Sequence, residues 1–222
     1  MTAQLSAVVP VPPVAADIAR YRLDGSAVLE KVVRALLESV ADPAAVVVAC
    51  APAHVDIVET LLADDDLEAV QVLAGGTDWM QCLAAVVTHI ARQANSARYV
   101  LVHDVRQPLT SAAVRDSVVT ALGEGAEMVL PVLPVTDSVK AVDAQGAVTA
   151  TLDRSTLRTA QFPRGFATAR LVRIVDTGTA DEIAAALATG APITTVEGDP
   201  HAFVVESRSD TVFVDAVMSS RR

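Results

Sequence analysis

Apolar residues along this chain come in two rhythms. Short unbroken runs alternate with longer stretches in which apolar positions recur three and four residues apart. The runs at 7–11, 44–49, 70–73, 99–102 and 128–132 are rich in Val, Ala and Leu and predict strands buried on both faces. Between them, residues 26–39 carry Val28, Leu29, Val32, Val33, Leu36 and Leu37 at helical spacing. Helices are likewise predicted over 53–63, 78–92, 111–122 (with Ser111 as cap), 167–175 and 181–188, and from Ser209 towards Met218. Further strands are expected at 193–196 and 203–205. The acidic run at 64–66 reads as a solvated turn, and residues 12–23, with Pro12 and Pro13, read as a loop.

Residues 138–152 break this rhythm. Two alternating runs flank Asp-Ala-Gln-Gly at 143–146, which predicts a β-hairpin with Gly146 at positive φ. An isolated hairpin is marginal in water, so it should pack on the parent domain or on a second copy of the chain. Strand and helix in alternation, with no repeat or linker, predict one α/β domain whose mostly parallel twisted sheet carries helices on both faces.

Composition narrows the function. The chain has 222 residues, 52% of them hydrophobic and 3% aromatic, enough for an aliphatic core without disulfides. The net charge of -10, with no basic stripe, argues against nucleic-acid binding. Cys50 and Cys82 have no metal-type spacing and read as buried thiols of a reducing cytoplasm. The amino terminus lacks a signal-peptide pattern, and no window reaches the apolar length of a membrane helix.

The candidate chemistry lies at Asp104, directly after the 99–102 strand. Ligands of open α/β sheets bind outside the carboxyl ends of strands, where a carboxylate can hold a divalent metal against a phosphate. The alternative is a loop-capping aspartate.

Five blocks carry a family resemblance: Ala-Gly-Gly at 74–76; VLVHD at 100–104 with Pro108; PVLPVTDSVK at 131–140; LDRSTLRTAQFPRGF at 152–166; and VEGDPHAF at 196–203. Over nearly its whole length the chain resembles the 2-C-methyl-D-erythritol 4-phosphate cytidylyltransferases. The resemblance implies a Rossmann-like nucleotidyltransferase domain spanning 1–222, with a protruding hairpin arm at about 136–156 that pairs two copies into a homodimer. It implies cytidylyl transfer from CTP to methylerythritol phosphate with Mg2+, in isoprenoid precursor synthesis. It assigns Asp104 to metal and substrate, Gly75 and Gly76 to the backbone that approaches the cytosine, Ser138 and Lys140 to the substrate block, and Arg154 to the partner subunit's substrate phosphate. Cys82 stands at a nucleotide-pocket serine, and Arg106 one place before a family arginine.

The departures are selective. The family's glycine-rich loop with an arginine and a lysine is replaced by VPPVAADIARYR at 11–22, which has no glycine and two prolines without an amide hydrogen. Ile18 stands at the lysine, Trp79 at an arginine, Gln107 at an arginine, Phe162 at a substrate-binding threonine, Arg164 at a glutamine and Val204 at a catalytic lysine. The expectation is a weakly active or inactive homologue that binds a small phosphate ligand or a partner. The competing reading is an active enzyme in which Arg20, Arg22, Arg106 and Arg164 take over the charge duties. Trp79 is expected to plug the vacated pocket. His103 is expected to orient its loop, His54 and His89 to lie on helices, and His201 to lie near the pocket.

Overall fold

The apolar runs become the strands of one eight-stranded sheet in the computed structural model, which describes residues 5–93 and 97–220. β1 (Leu5–Val11) leads into α1 (Pro13–Arg20), a small hairpin of β2 (Arg22–Leu23) and β3 (Ser26–Ala27), and α2 (Val28–Leu37). Next come β4 (Val46–Cys50), α3 (Val55–Leu61), β5 (Gln71–Ala74), α4 (Trp79–Ala91), β6 (Tyr99–Val102), α5 (Ala112–Gly123) and β7 (Met128–Pro134). β8 (Val139–Val142) and β9 (Val148–Leu152) form a separate hairpin. β10 (Arg158–Ala160), β11 (Arg164–Ala167), α6 (Thr168–Val175), α7 (Glu182–Ala188), β12 (Thr194–Glu197) and α8 (Arg208–Ser220) follow.

The sheet runs β5-β4-β1-β6-β11-β7, with β10 continuing beside β7 and β12 also paired to it. β1, β4, β5 and β6 are mutually parallel, and β11 inserts antiparallel between β6 and β7. From β1 the chain first builds outwards through β4 and β5, then crosses to β6 on the other side. That reversal opens a crevice at the carboxyl ends of β1 and β6. Helices cover both faces, because successive strand residues face opposite ways. Ala7, Val9 and Val11 join the core shared with α1, α2 and α5, whereas Val8 joins the core shared with α4 and α6.

Several boundaries depart from the sequence expectation. Residues 12–23 are mostly helix, because Pro13 occupies the first turn, where no amide hydrogen is needed, and Ala15, Ile18 and Ala19 bury one face. The stretch at 203–205 is irregular; its Val205 amide donates to the Arg106 carbonyl at 2.7 Å, which ties it to the loop after β6. β10 and β11 are strands although their apolar content is low: β11 is buried by position, between β6 and β7. Ser111 makes no side-chain cap, and α8 begins at Arg208, one residue before the expected Ser209 cap.

The hairpin pairs Val139 with Leu152 and Ala141 with Ala150, off the main sheet. Its turn holds Gly146 at φ 85°, and Asp143 Oδ1 accepts from the amides of Gln145 and Ala147. Val142, Val148 and Leu152 are exposed on it.

β11 packs tightly on α5 at Gly165. A Cβ there would lie 2.5 Å from Val118 Cγ1 and 2.9 Å from Leu122 Cδ1. Gly165→Ala should therefore lower unfolding stability by about 1–3 kcal/mol through overpacking, read by urea denaturation.

Candidate functional site

The crevice has a volume of about 530 Å3. One wall is residues 12–15 at the start of α1, another residues 77–79 at the start of α4. Asp104 and Arg106 lie at the base, with Phe162, Arg164 and residues 180–182 opposite. Two ion pairs and an aromatic corner define its chemistry.

Asp104 is the second residue of the loop that follows β6, with its side chain 3% exposed. Oδ1 accepts from the Arg106 backbone amide at 2.9 Å and from Arg106 Nε at 3.1 Å; Oδ2 accepts from Nε at 3.0 Å and from Nη2 at 2.6 Å. The short loop thus folds the guanidinium back onto its own carboxylate. The hydrogen bond to Asp104 raises the Arg106 pKa above its usual value. His103 is buried, and desolvation pushes its pKa down to about 4, so the ring is neutral at pH 7. Its Nδ1 lies 3.0 Å from the Asp104 carbonyl oxygen and donates to it, which orients the loop.

The second pair belongs to Glu182, which is fully buried at the start of α7. Oε1 accepts from Arg164 Nη1 at 2.6 Å, and Oε2 from Trp79 Nε1 at 2.9 Å. The Arg164 guanidinium lies 4.0 Å over the Phe162 ring, whose centroid is 5.4 Å from that of Trp79 in an edge arrangement. Glu182 thereby links β11, α4 and α7. Trp79 lines the crevice as a packed wall.

Backbone donors are largely spent on the chain itself. The Gly75 amide donates to Cys50 O at 2.7 Å, and the Thr77 amide to Gln81 Oε1 at 2.9 Å. A Cβ on Gly76 would strike the Gln81 side chain, so that glycine makes room for Gln81. Cys82 is fully buried behind the loop, with its thiol pKa raised by burial and its Sγ on Gly76 O. At the start of α1, Pro12 and Pro13 offer no amide hydrogen and Ala15 N donates to Pro12 O.

Charge follows the same pattern. Arg106 and Arg164 face four carboxylates in the lining: Asp78, Asp104, Asp181 and Glu182. Asp78 and Asp181 cap α4 and α7 by accepting from Gln81 N and Ala184 N, each at 2.8 Å. For Mg2+ the donor set does not fit. Both Asp104 oxygens are engaged by Arg106, and the described residues contain no cluster of three metal-ligating side chains.

The other candidates lie elsewhere. Ser138 and Lys140 are exposed on the hairpin; Lys140 Nζ donates to Thr151 Oγ1 at 2.8 Å, and Arg154 donates to the Thr136 carbonyl. None of the three lines the crevice of its own chain. Gln107 points inward, accepting from the Phe162 amide at 2.9 Å. His201 and Val204 also lie outside the lining. Sequence reasoning missed Glu182 and Asp181, since an acidic helix start signals a cap and not a crevice wall. The lone tryptophan was the available pointer.

Two outcomes test this geometry. Glu182→Gln leaves the Arg164 charge without its counterion and should cost about 3–5 kcal/mol in chemical denaturation. His103 has its folded pKa depressed from 6.5 to about 4, so the unfolded chain takes up that proton first as pH falls. Stability should drop by about 3 kcal/mol between pH 6.5 and 4 from this group alone, and His103→Gln should flatten that slope.

Relatives agree with the fold. The family model described as 2-C-methyl-D-erythritol 4-phosphate cytidylyltransferase matches residues 16–220. A protein of that name from Saccharopolyspora erythraea is 36% identical over 205 residues, covering 88% of each chain. One from Rhodococcus jostii is 36% identical over 201 residues, covering 88% of this chain and 84% of that one. The crystal structure of the Thermus thermophilus protein of that name superposes with a TM-score of 0.73 at 26% identity, covering 96% of this chain and 98% of that one. A synthase structure from Anaerococcus prevotii reaches a TM-score of 0.79 at 17% identity, which speaks to the fold alone. The chain belongs to the 2-C-methyl-D-erythritol 4-phosphate cytidylyltransferase family.

Proposed function

We propose that this chain keeps the family's fold but has lost efficient cytidylyl transfer, and that its crevice serves binding. The carrying observation is that each crevice arginine is held by a buried carboxylate, Arg106 by Asp104 and Arg164 by Glu182. A triphosphate needs free cations and bare amides, as phosphate-binding loops supply. Removing one preorganised electrostatic group typically costs roughly 10² to 10³ in rate. Here Ile18 and Gln107 replace cations of the family pattern, and Pro12 and Pro13 replace amide donors. Those losses need not multiply to leave little turnover.

The competing reading is an active cytidylyltransferase with a rebuilt loop, favoured by the 35% side-chain exposure of Arg106 at the crevice mouth. In that reading Arg106 swings from Asp104 onto phosphate, freeing the carboxylate for Mg2+. The hairpin is inferred to pair two copies, which covers Val142 and Val148 and brings Arg154 towards the crevice of the partner subunit. A cytoplasmic homodimer acting on small molecules is the setting this implies.

Pyrophosphate release from CTP, methylerythritol phosphate and Mg2+ should stay at background, and Asp104→Asn should behave like wild type. Turnover abolished by Asp104→Asn would instead establish the rebuilt enzyme. Val142→Asp with Val148→Asp should convert a dimer to a monomer in sedimentation analysis, because like charges would face each other across the pairing.

A further inference from the structure

A second hollow, of about 450 Å3, is lined by Asp17, Arg20, Tyr21, Arg22, Arg208 and Thr211. It shares no lining residue with the crevice. Three arginines line it, on a chain whose net charge is -10. Arg20 and Arg22 come from the end of α1 and from β2, whereas Arg208 comes from the first turn of α8.

The frame that holds them is well tied. The Tyr21 carbonyl accepts from Val28 N at 2.8 Å, and Arg22 Nη1 donates to the Gly25 carbonyl across the β2–β3 turn. The turn takes Asp24 and Gly25 at φ 51° and 84°, and the Asp24 amide donates to Asp215 Oδ1 at 3.1 Å, which docks α8 against it. Val214 of the same helix is fully buried. Thr211 is buried too, its hydroxyl donating to Arg208 O at 2.7 Å.

The lining itself holds little counter-charge. Asp17 is the one acidic residue in the lining, and its 3.7 Å contact with Arg20 joins two exposed side chains. Arg20 also complements the carboxyl end of α1, which accounts for one cation of the three. Arg22 ties one Nη to the β2–β3 turn, and Arg208, at the first residue of α8, has no carboxyl helix end to complement. Like charges gathered on a rigid surface repel, and a bound anion relieves that repulsion. Guanidinium forks match phosphate oxygens in particular.

We propose that Arg20, Arg22 and Arg208 form an anion site, separate from the crevice, that takes the phosphate group of a small soluble metabolite. Its volume leaves room for an organic substituent beside the phosphate. The site does not depend on whether the crevice is catalytic, so its test is independent of the activity assay.

Inorganic phosphate, titrated into the full chain at pH 7.5 and low chloride, is the probe, followed by calorimetry and thermal unfolding. Binding should be saturable in the range of about 1–10 mM and should raise the melting temperature. Arg208→Gln should weaken it at least about tenfold. Arg92→Gln, an equal charge change at an exposed position elsewhere, should leave it unchanged. Arg208 is exposed, so the variant's melting temperature without phosphate should match wild type. Absence of saturable binding, or equal weakening by both variants, would overturn the site.

Discussion

A guanidinium paired with a buried carboxylate brings no net positive charge to a phosphate unless the pair opens, and opening it strands the carboxylate in a low-dielectric interior unless another cation takes its place. That constraint governs the crevice. Freeing Arg106 would leave Asp104, and freeing Arg164 would leave Glu182, each a desolvated anion costing several kcal/mol. An incoming polyanion would meet those carboxylates together with Asp78 and Asp181. Both crevice arginines turn their charge inward, onto Asp104 and Glu182.

The same pairs hold the architecture. Glu182 joins an arginine of β11 to the tryptophan that opens α4, with Phe162 packed between them. Gln107 supports Phe162 through its backbone amide, and Gln161 binds the 199–202 loop, accepting from Asp199 N and donating to the carbonyls of Asp199 and Ala202. Trp79, Phe162, Arg164 and Glu182 thus form a connected wall, in which Arg164 Nε alone of the guanidinium nitrogens is buried without a hydrogen-bond partner.

Much of the fold was legible because buried parallel strands are written as unbroken Val and Ala runs; β1, β4 and β6 needed nothing else. β11 was not, because it owes its burial to neighbours on both sides and not to its own composition. α1 was hidden by two prolines that signal a loop in the middle of an element and a helix start at its beginning. In the site, Asp104 was legible from its place after β6. Its closure by Arg106 was not, since a two-residue offset specifies no rotamer. Glu182 was invisible because its partners lie 18 and 103 residues away in sequence.

Calorimetric titration of the intact chain with CTP in the presence of Mg2+ tests the inward-turned charge most directly. The account predicts no saturable heat up to millimolar CTP for the Arg208→Gln chain, in which the separate anion site is weakened and only the crevice is read. Stoichiometric binding that is lost in Arg106→Gln would contradict it, because that guanidinium would then be serving the triphosphate instead of Asp104.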